Sequence, residues 1–140
     1  ESLNVATRTA LGHYTHEKNP VACAAGLATL DVLCDEDLVG NAARLGEIAL
    51  GRMREMKVRH PIIGDIRGKG LLMGIELVRP GGIPATDEAE RVMYAALSRG
   101  LNFKVTMGNI LTLTPALTLT EAELHQALTH LDDAIAEVTQ

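Results

Sequence analysis

One segment, VACAAGLATLDVLC from Val21 to Cys34, constrains the fold of this chain more than any other. Asn19-Pro20 before it predicts a helix start, because asparagine is a favoured N-cap and a proline at the first helical position lacks only an N–H that would be unpaired anyway. The predicted helix is apolar on nearly all sides, so other structure must cover it from several directions. A chain of 140 residues has little else to supply that cover, and we expect packing partners outside it.

The composition argues against two classes of partner. The formal net charge is −5 with no basic run, which disfavours binding to the phosphates of DNA or RNA. Aromatic residues make up 2% of the chain, too few for a platform on which nucleic acid bases stack. The longest apolar stretch, residues 21–28, is too short to cross a bilayer, and no signal peptide is evident. We therefore expect a cytoplasmic protein that binds neither nucleic acid nor membrane.

The cysteines and histidines do not predict a metal site. Cys23 and Cys34 lie eleven positions apart on one predicted helix. That spacing separates them by about 16 Å, too far for a disulfide. His125 and His130 lie five residues apart on another predicted helix, an awkward angle for one metal ion. We expect buried free thiols in a reducing compartment, solvated histidines and no metal ligands.

Helical periodicity and glycines divide the middle of the chain. Apolar residues recur at helical spacing from Leu38 to Met56, and His60-Pro61 predicts the end of that helix. Residues 62–78 carry four glycines. Their second half predicts a strand with a glycine inside it, where a neighbouring group must approach closely.

The C-terminal half predicts a helix, a hairpin and a last helix. The first opens at Thr86 or Asp87 and closes at Gly100 as C-cap. Two short strands, 101–105 and 110–114, flank a turn, and Thr120 to Glu123 is a capping box that begins the last helix. This order predicts an α/β fold, a small α+β domain whose three-stranded, mainly antiparallel sheet is packed by helices and preceded by the long apolar helix.

Two polar segments are candidate anion sites on the residues alone. Residues 13–18 form the densest polar cluster, just before a helix N-terminus whose N–H groups and dipole favour phosphate; a surface loop is the alternative. Arg67, between glycines, is either an anion ligand or a clamp on a carboxylate or backbone carbonyl. The glycines around it match neither a P-loop nor a dinucleotide-binding fingerprint, and they predict a structural turn.

Three segments are more specific together than apart: HYTHEKNPVACAA at 13–25, HPIIGDIRGKGL at 60–71 and GNILTLTPALT at 108–118. In this order and spacing they resemble the C-terminal third of class III aminotransferases, fold-type-I enzymes that use pyridoxal 5′-phosphate (PLP). The resemblance covers nearly the whole chain. It implies that residues 1–35 are the end of the large domain, with the cofactor-phosphate loop and a linking helix, and that residues 36–140 are the C-terminal small domain.

The resemblance also implies site residues. Thr15 would hydrogen-bond the cofactor phosphate of the neighbouring subunit in a homodimer. Thr112 would lie near the substrate, at a position where members that act on α-amino carboxylates usually carry an arginine. The substrate therefore lacks a free α-carboxylate, or its acid group is held elsewhere, or Thr112 is a strand residue that faces away. No lysine here has the family's Schiff-base context, so we expect the catalytic lysine outside this chain and no activity from the chain alone.

Three functions stay open at this point. The first is transfer of an amino group between an amine or amino acid and a keto acid by the whole protein. The second is a PLP-dependent racemase or lyase of the same family, acting on an amino-lactam or amino-phosphonate type of substrate, which the missing arginine motivates. The third is a stand-alone binding module without enzymatic activity.

Overall fold

The computed structural model describes residues 19–139, which form four α-helices and five β-strands. In chain order they are α1 (Pro20–Asp35), α2 (Leu38–Arg59), β1 (Ile63–Lys69), β2 (Leu72–Arg79), β3 (Ile83–Pro84), α3 (Thr86–Ser98), β4 (Lys104–Thr106), β5 (Ile110–Leu113) and α4 (Glu121–Thr139). The boundary between two compact units of the chain falls between Asp37 and Leu38. None of the described helices is long and apolar enough to cross a membrane.

The start of α1 confirms its sequence prediction. Asn19 Oδ1 accepts hydrogen bonds from the backbone N–H groups of Val21 at 2.9 Å and Ala22 at 3.4 Å, and Pro20 occupies the first turn. No residue of α1 is buried, and both of its cysteines are free and exposed. The expectation of buried thiols is therefore wrong for this structure, because a helix cannot cover its own side chains.

The helix α2 is amphipathic, as its periodicity predicts, and its buried stripe includes Leu45, Ala49, Met53 and Met56. It also packs directly on backbone. A Cβ atom added to Gly46 would lie 2.4 Å from the carbonyl oxygen of Gly70, in the turn between β1 and β2. The absence of a side chain at position 46 therefore lets the helix approach this turn.

The sheet confirms the predicted fold class but has five strands where the sequence predicted three. Its main path runs β1-β2-β5-β4 with antiparallel pairing, and the two-residue β3 adds to β2. The strands β1 and β3 were not predicted, because β1 carries Gly64 and Gly68 and β3 ends in Pro84, residue types that are depleted in strands. Backbone pairing with β2 overrides those local preferences.

Two predicted turns are confirmed, and one of them shortens a strand. Met107 and Gly108, in the loop between β4 and β5, adopt φ of 54° and 85°. Gly100, past the end of α3, adopts φ of 85°, and the N–H of Leu101 donates to the carbonyl of Ala96. Leu101 thus still belongs to the cap of α3, so β4 begins at Lys104 and not at position 101.

The two faces of the sheet differ. The helices α2 and α3 contact the strands, and α4 packs against both of these helices. The strand residues on this inner face include five that are buried and apolar: Met73, Ile75, Leu77, Leu111 and Leu113. Side chains alternate along a strand, so the residues between them belong to the opposite, outer face.

The capping box of α4 forms as predicted. The N–H of Thr120 donates to Glu123 Oε2 at 2.8 Å, and the N–H of Glu123 donates back to Thr120 Oγ1 at 3.3 Å. The Thr120 hydroxyl also donates to Glu123 Oε2 at 2.7 Å, and this bond, together with the one from the Thr120 N–H, lowers the pKa of the Glu123 carboxyl. The reciprocal bonds set the start of the helix that closes the core.

Candidate functional site

The two predicted site residues fall in different parts of the chain. Thr15, with the rest of the segment 13–18, lies outside the described residues, so its role as a phosphate ligand stays a prediction. Thr112 lies in β5 between the buried Leu111 and Leu113, so its side chain is on the outer face of the sheet. The candidate site is built around this position.

Four residues lie side by side across the outer face, one on each strand of the main path. The strand register pairs Arg67 of β1 with Gly74 of β2, Gly74 with Thr112 of β5, and Thr112 with Lys104 of β4. Directly opposed residues of antiparallel strands project to the same face. We call these four residues the outer row.

Gly74 has no side chain in the outer row between Arg67 and Thr112, and the residue is buried. A Cβ atom at this position would lie 3.3 Å from Ile110 Cγ2, closer than most side chains tolerate. This contact is the close approach that a glycine inside a strand predicts. Ile110 therefore packs over Gly74, whose backbone is buried between Arg67 and Thr112.

Arg67 is a clamp within the sheet. Its Nη1 donates to Asp65 Oδ2 at 2.7 Å and to Glu76 Oε2 at 2.8 Å. The hydrogen bond from Arg67 lowers the pKa of the Asp65 carboxyl, and the bonds to Glu76 and Asp65 raise the pKa of the Arg67 guanidinium. Two carboxylates against one guanidinium leave no net positive charge, so Arg67 is not placed to attract an anion.

The other end of the outer row is positively charged. Lys104 is exposed and makes no ion pair with any residue in the range 19–139. Thr112 Oγ1 donates to Thr106 Oγ1 at 2.8 Å across the hairpin. The O–H of Thr106 is then free to donate to a further acceptor. Sequence reasoning missed Lys104 and Thr106, because only the strand register places them beside Thr112.

A second polar cluster joins the end of α2 to α4. The side chain of His60 is 10% exposed, and its Nε2 lies 2.6 Å from Asp132 Oδ1, while Arg59 Nη2 donates to Asp132 Oδ2 at 2.5 Å. Burial raises the pKa of the Asp132 carboxyl, but the hydrogen bonds from His60 and Arg59 outweigh it and the pKa is lowered. No local pattern predicts this cluster, whose partners lie 72 and 73 positions apart.

The histidines on α4 contact other side chains. His125 Nδ1 lies 3.3 Å from Arg52 Nη1, and His130 Nε2 lies 3.4 Å from Gln126 Nε2. Within residues 19–139, no group of three His, Cys, Asp or Glu side chains is placed to hold a metal ion.

Comparison with known protein families identifies the family and the fold of this chain. The model of the family named Aminotransferase class-III matches residues 3–135. This chain belongs to the class III aminotransferase family. The family is PLP-dependent, and its members among solved structures have the fold-type-I transaminase fold, so the resemblance in the three sequence segments is confirmed.

Relatives within the class III family differ in activity. The (R)-1-hydroxy-2-aminoethylphosphonate ammonia-lyase of Vibrio splendidus is 44% identical over 140 residues, which is 99% of this chain and 29% of that protein. The isoleucine 2-epimerase of Lentilactobacillus buchneri is 45% identical over 127 residues, 89% of this chain and 28% of that protein. The PLP-bound crystal structure of an amine transaminase from an uncultivated Pseudomonas species matches with a TM-score of 0.84 and 33% identity, over 96% of this chain and 31% of that one.

The chain thus spans about three-tenths of the length of these class III relatives. The described residues do not by themselves fit PLP. Three described lysines, Lys57, Lys69 and Lys104, are all exposed, and Lys57 Nζ donates to the carbonyl of Gly64. An imine-forming lysine needs a desolvated or charge-tuned pocket, which none of these three occupies.

Proposed function

We propose that this chain is the C-terminal part of a PLP-dependent enzyme that releases ammonia from a small amino compound carrying a phosphonate or similar group. In this proposal residues 1–35 end the large domain and residues 36–140 form the small domain. The whole protein works as a cytoplasmic homodimer in which Thr15 binds the cofactor phosphate across the subunit interface.

The observation that carries the proposal is the chemistry of position 112. A planar carboxylate is best held by the two parallel N–H donors of an arginine. Thr112 offers one hydroxyl, and that hydroxyl already donates to Thr106. The other guanidinium of the outer row, on Arg67, is occupied by Asp65 and Glu76. The outer row therefore has no unpaired guanidinium that could bind an α-carboxylate through two parallel hydrogen bonds.

A relative supports the same conclusion from its substrate. The Vibrio splendidus ammonia-lyase, 44% identical over nearly the whole chain, acts by its name on an amino-hydroxy-phosphonate, which has no carboxylate. Removal of ammonia from a 1-hydroxy-2-amino compound leaves a carbonyl compound. The step needs no keto acid, and no oxidant or reductant.

The test is turnover by the whole protein, loaded with PLP, on each enantiomer of 1-hydroxy-2-aminoethylphosphonate. We expect ammonia and an aldehyde in equal amounts from one enantiomer, without added keto acid. Turnover that strictly requires a keto acid would overturn the proposal in favour of amino transfer, which the family and the amine transaminase structure support as the second candidate.

Two other outcomes would also contradict lyase activity. Racemisation of an amino acid without ammonia release would match the activity that the Lentilactobacillus buchneri relative is named for. A whole protein without PLP-dependent turnover on any of these substrates would favour a binding module.

We further propose that the 140 residues alone are inactive. Borohydride reduction in the presence of PLP should trap no single lysine of the chain, whereas it should trap one lysine of the whole protein. Stoichiometric trapping at Lys18, Lys57, Lys69 or Lys104 of the chain would refute this.

A further inference from the structure

Arg67, Lys69 and Lys104 carry positive charge on the outer face, and they differ in whether a carboxylate neutralises them. Arg67 is bound by two carboxylates, whereas Lys104 and Lys69 make no ion pair with any described residue. Of these two lysines, Lys104 is paired with Thr112, and Lys69 is paired with Leu72, two strands away from β5. Lys104 is therefore the free cation beside position 112.

Hydroxyl groups complete the surroundings of Lys104. Thr106 lies two residues along β4, on the same face as Lys104 and about 7 Å away. Thr112 is directly opposite Lys104, which brings their Cβ atoms to about 5 Å. Because Thr106 Oγ1 accepts the hydrogen bond from Thr112 at 2.8 Å, the single hydroxyl proton of Thr106 is directed elsewhere. An ammonium and a hydroxyl donor thus share one patch of the outer face.

We propose that Lys104 and Thr106, with Thr106 oriented by Thr112, bind a tetrahedral oxyanion of the substrate: a phosphonate or a phosphate ester. This inference rests on the proposed function and names the group that the site recognises. An ammonium is a point charge with rotatable donors, which suits the several oxygens of a tetrahedral dianion, whereas a planar carboxylate is better held by the fixed fork of an arginine.

Nearby carboxylates do not neutralise Lys104. Asp87 and Glu90 line a surface depression of about 560 Å³ together with Lys104. Asp87 accepts a hydrogen bond from Arg79 Nη2 at 2.9 Å, and neither carboxylate forms an ion pair with Lys104. The Lys104 ammonium is therefore unpaired among the described residues, although the depression itself lies beside α3.

The direct test is binding of methylphosphonate and of methyl phosphate to the whole protein by calorimetry. We expect Lys104→Met to weaken binding of both by about tenfold or more, because a charge-assisted hydrogen bond is lost. Lys69→Met, which removes the other free lysine of the same face, should change the affinity by less than about twofold. Equal binding by the wild type and Lys104→Met, or an equal loss in Lys69→Met, would overturn the proposal.

A second variant keeps the test independent of folding defects at position 104. Thr106→Val preserves the shape and strand preference of the side chain but removes its O–H. We expect weaker methylphosphonate binding in this variant as well, with Lys104→Arg retaining more affinity than Lys104→Met. Acetate binding as tight as methylphosphonate binding would refute a tetrahedral site.

Kinetics separate this inference from the proposed function. In the whole protein, Lys104→Met should raise KM for the aminophosphonate by a larger factor than it lowers kcat, because Lys104 holds the phosphonate oxygens and contacts neither the carbinol carbon nor the amine. Keto-acid-dependent turnover with Lys104-dependent methylphosphonate binding would refute the lyase and support the subsite. Ammonia release with an unchanged KM in Lys104→Met would support the lyase and refute the subsite.

Discussion

The two faces of the sheet are formed by the same strands but are subject to different physical constraints. On the inner face, Leu111 is fully buried, and its neighbours along the strand are Ile110 and Thr112 on the outer face. Inner residues are constrained by volume and by exclusion of water, whereas outer residues are constrained by the charges and hydroxyls beside them. A single strand thus separates residues that stabilise the fold from residues to which we assign substrate binding.

The largest expected effect compares two neighbours in β5. Leu111→Ala should lower the free energy of unfolding by about 2–5 kcal/mol, because it leaves a cavity in the core. Thr112→Ala should lower it by less than about 1 kcal/mol, because it removes a half-buried hydroxyl. Urea denaturation of the chain measures both values, and equal losses would contradict the division between the faces.

The inner part of this division was predictable from the sequence and most of the outer part was not. The apolar stripe of α2, the capping box at Thr120 and the turn at Gly108 depend on residues a few positions apart, so local patterns reveal them. On the outer face the neighbours of Thr112 come from other strands, and, away from the sheet, the partner of His60 between α2 and α4 also lies 72 positions away. Such contacts depend on register and packing, which a single sequence does not encode locally.

The next effect tests the helix contact on the inner side. Gly46→Ala should destabilise the chain by about 1–3 kcal/mol, because its Cβ would lie 2.4 Å from the carbonyl of Gly70. Gly51→Ala is the matched control, on the same helix with nothing within 4 Å of the new Cβ. It should stabilise the chain by up to about 1 kcal/mol. A stabilising Gly46→Ala would disprove the close approach.

The carboxyl group of Asp132 makes the stability of the fold depend on pH. Its pKa is lower in the folded chain than the ordinary 3.8. The carboxylate therefore contributes stability above that value, and the contribution is lost as the pH falls through the lower folded pKa. Asp132→Asn should reduce stability at neutral pH by about 1–3 kcal/mol and flatten the loss of stability below about pH 4. Unfolding midpoints measured from pH 7 to pH 2 test this, and an unchanged pH profile would be inconsistent with it.

The smallest expected effect lies on the outer face. Arg67→Gln breaks ion pairs that are half exposed on both sides, and such pairs contribute little to stability and weaken further in salt. We expect a smaller shift of the unfolding midpoint than for Asp132→Asn, and none in high salt. A loss of unfolding free energy as large as that of Leu111→Ala would mean that the outer face stabilises the fold as much as the core does.

The short hairpin of β4 and β5 has a consequence for how such enzymes diversify. All three residues of the proposed oxyanion subsite, Lys104, Thr106 and Thr112, lie within this one hairpin, and its register is set by a tight turn with Met107 and Gly108 at positive φ. Replacing the hairpin as a unit would exchange the outer residues while the buried Leu111 and Leu113 keep their places in the core. In the proposed subsite, selectivity for the acid group of a substrate is therefore carried by one contiguous segment that can be exchanged without redesign of the rest of the domain.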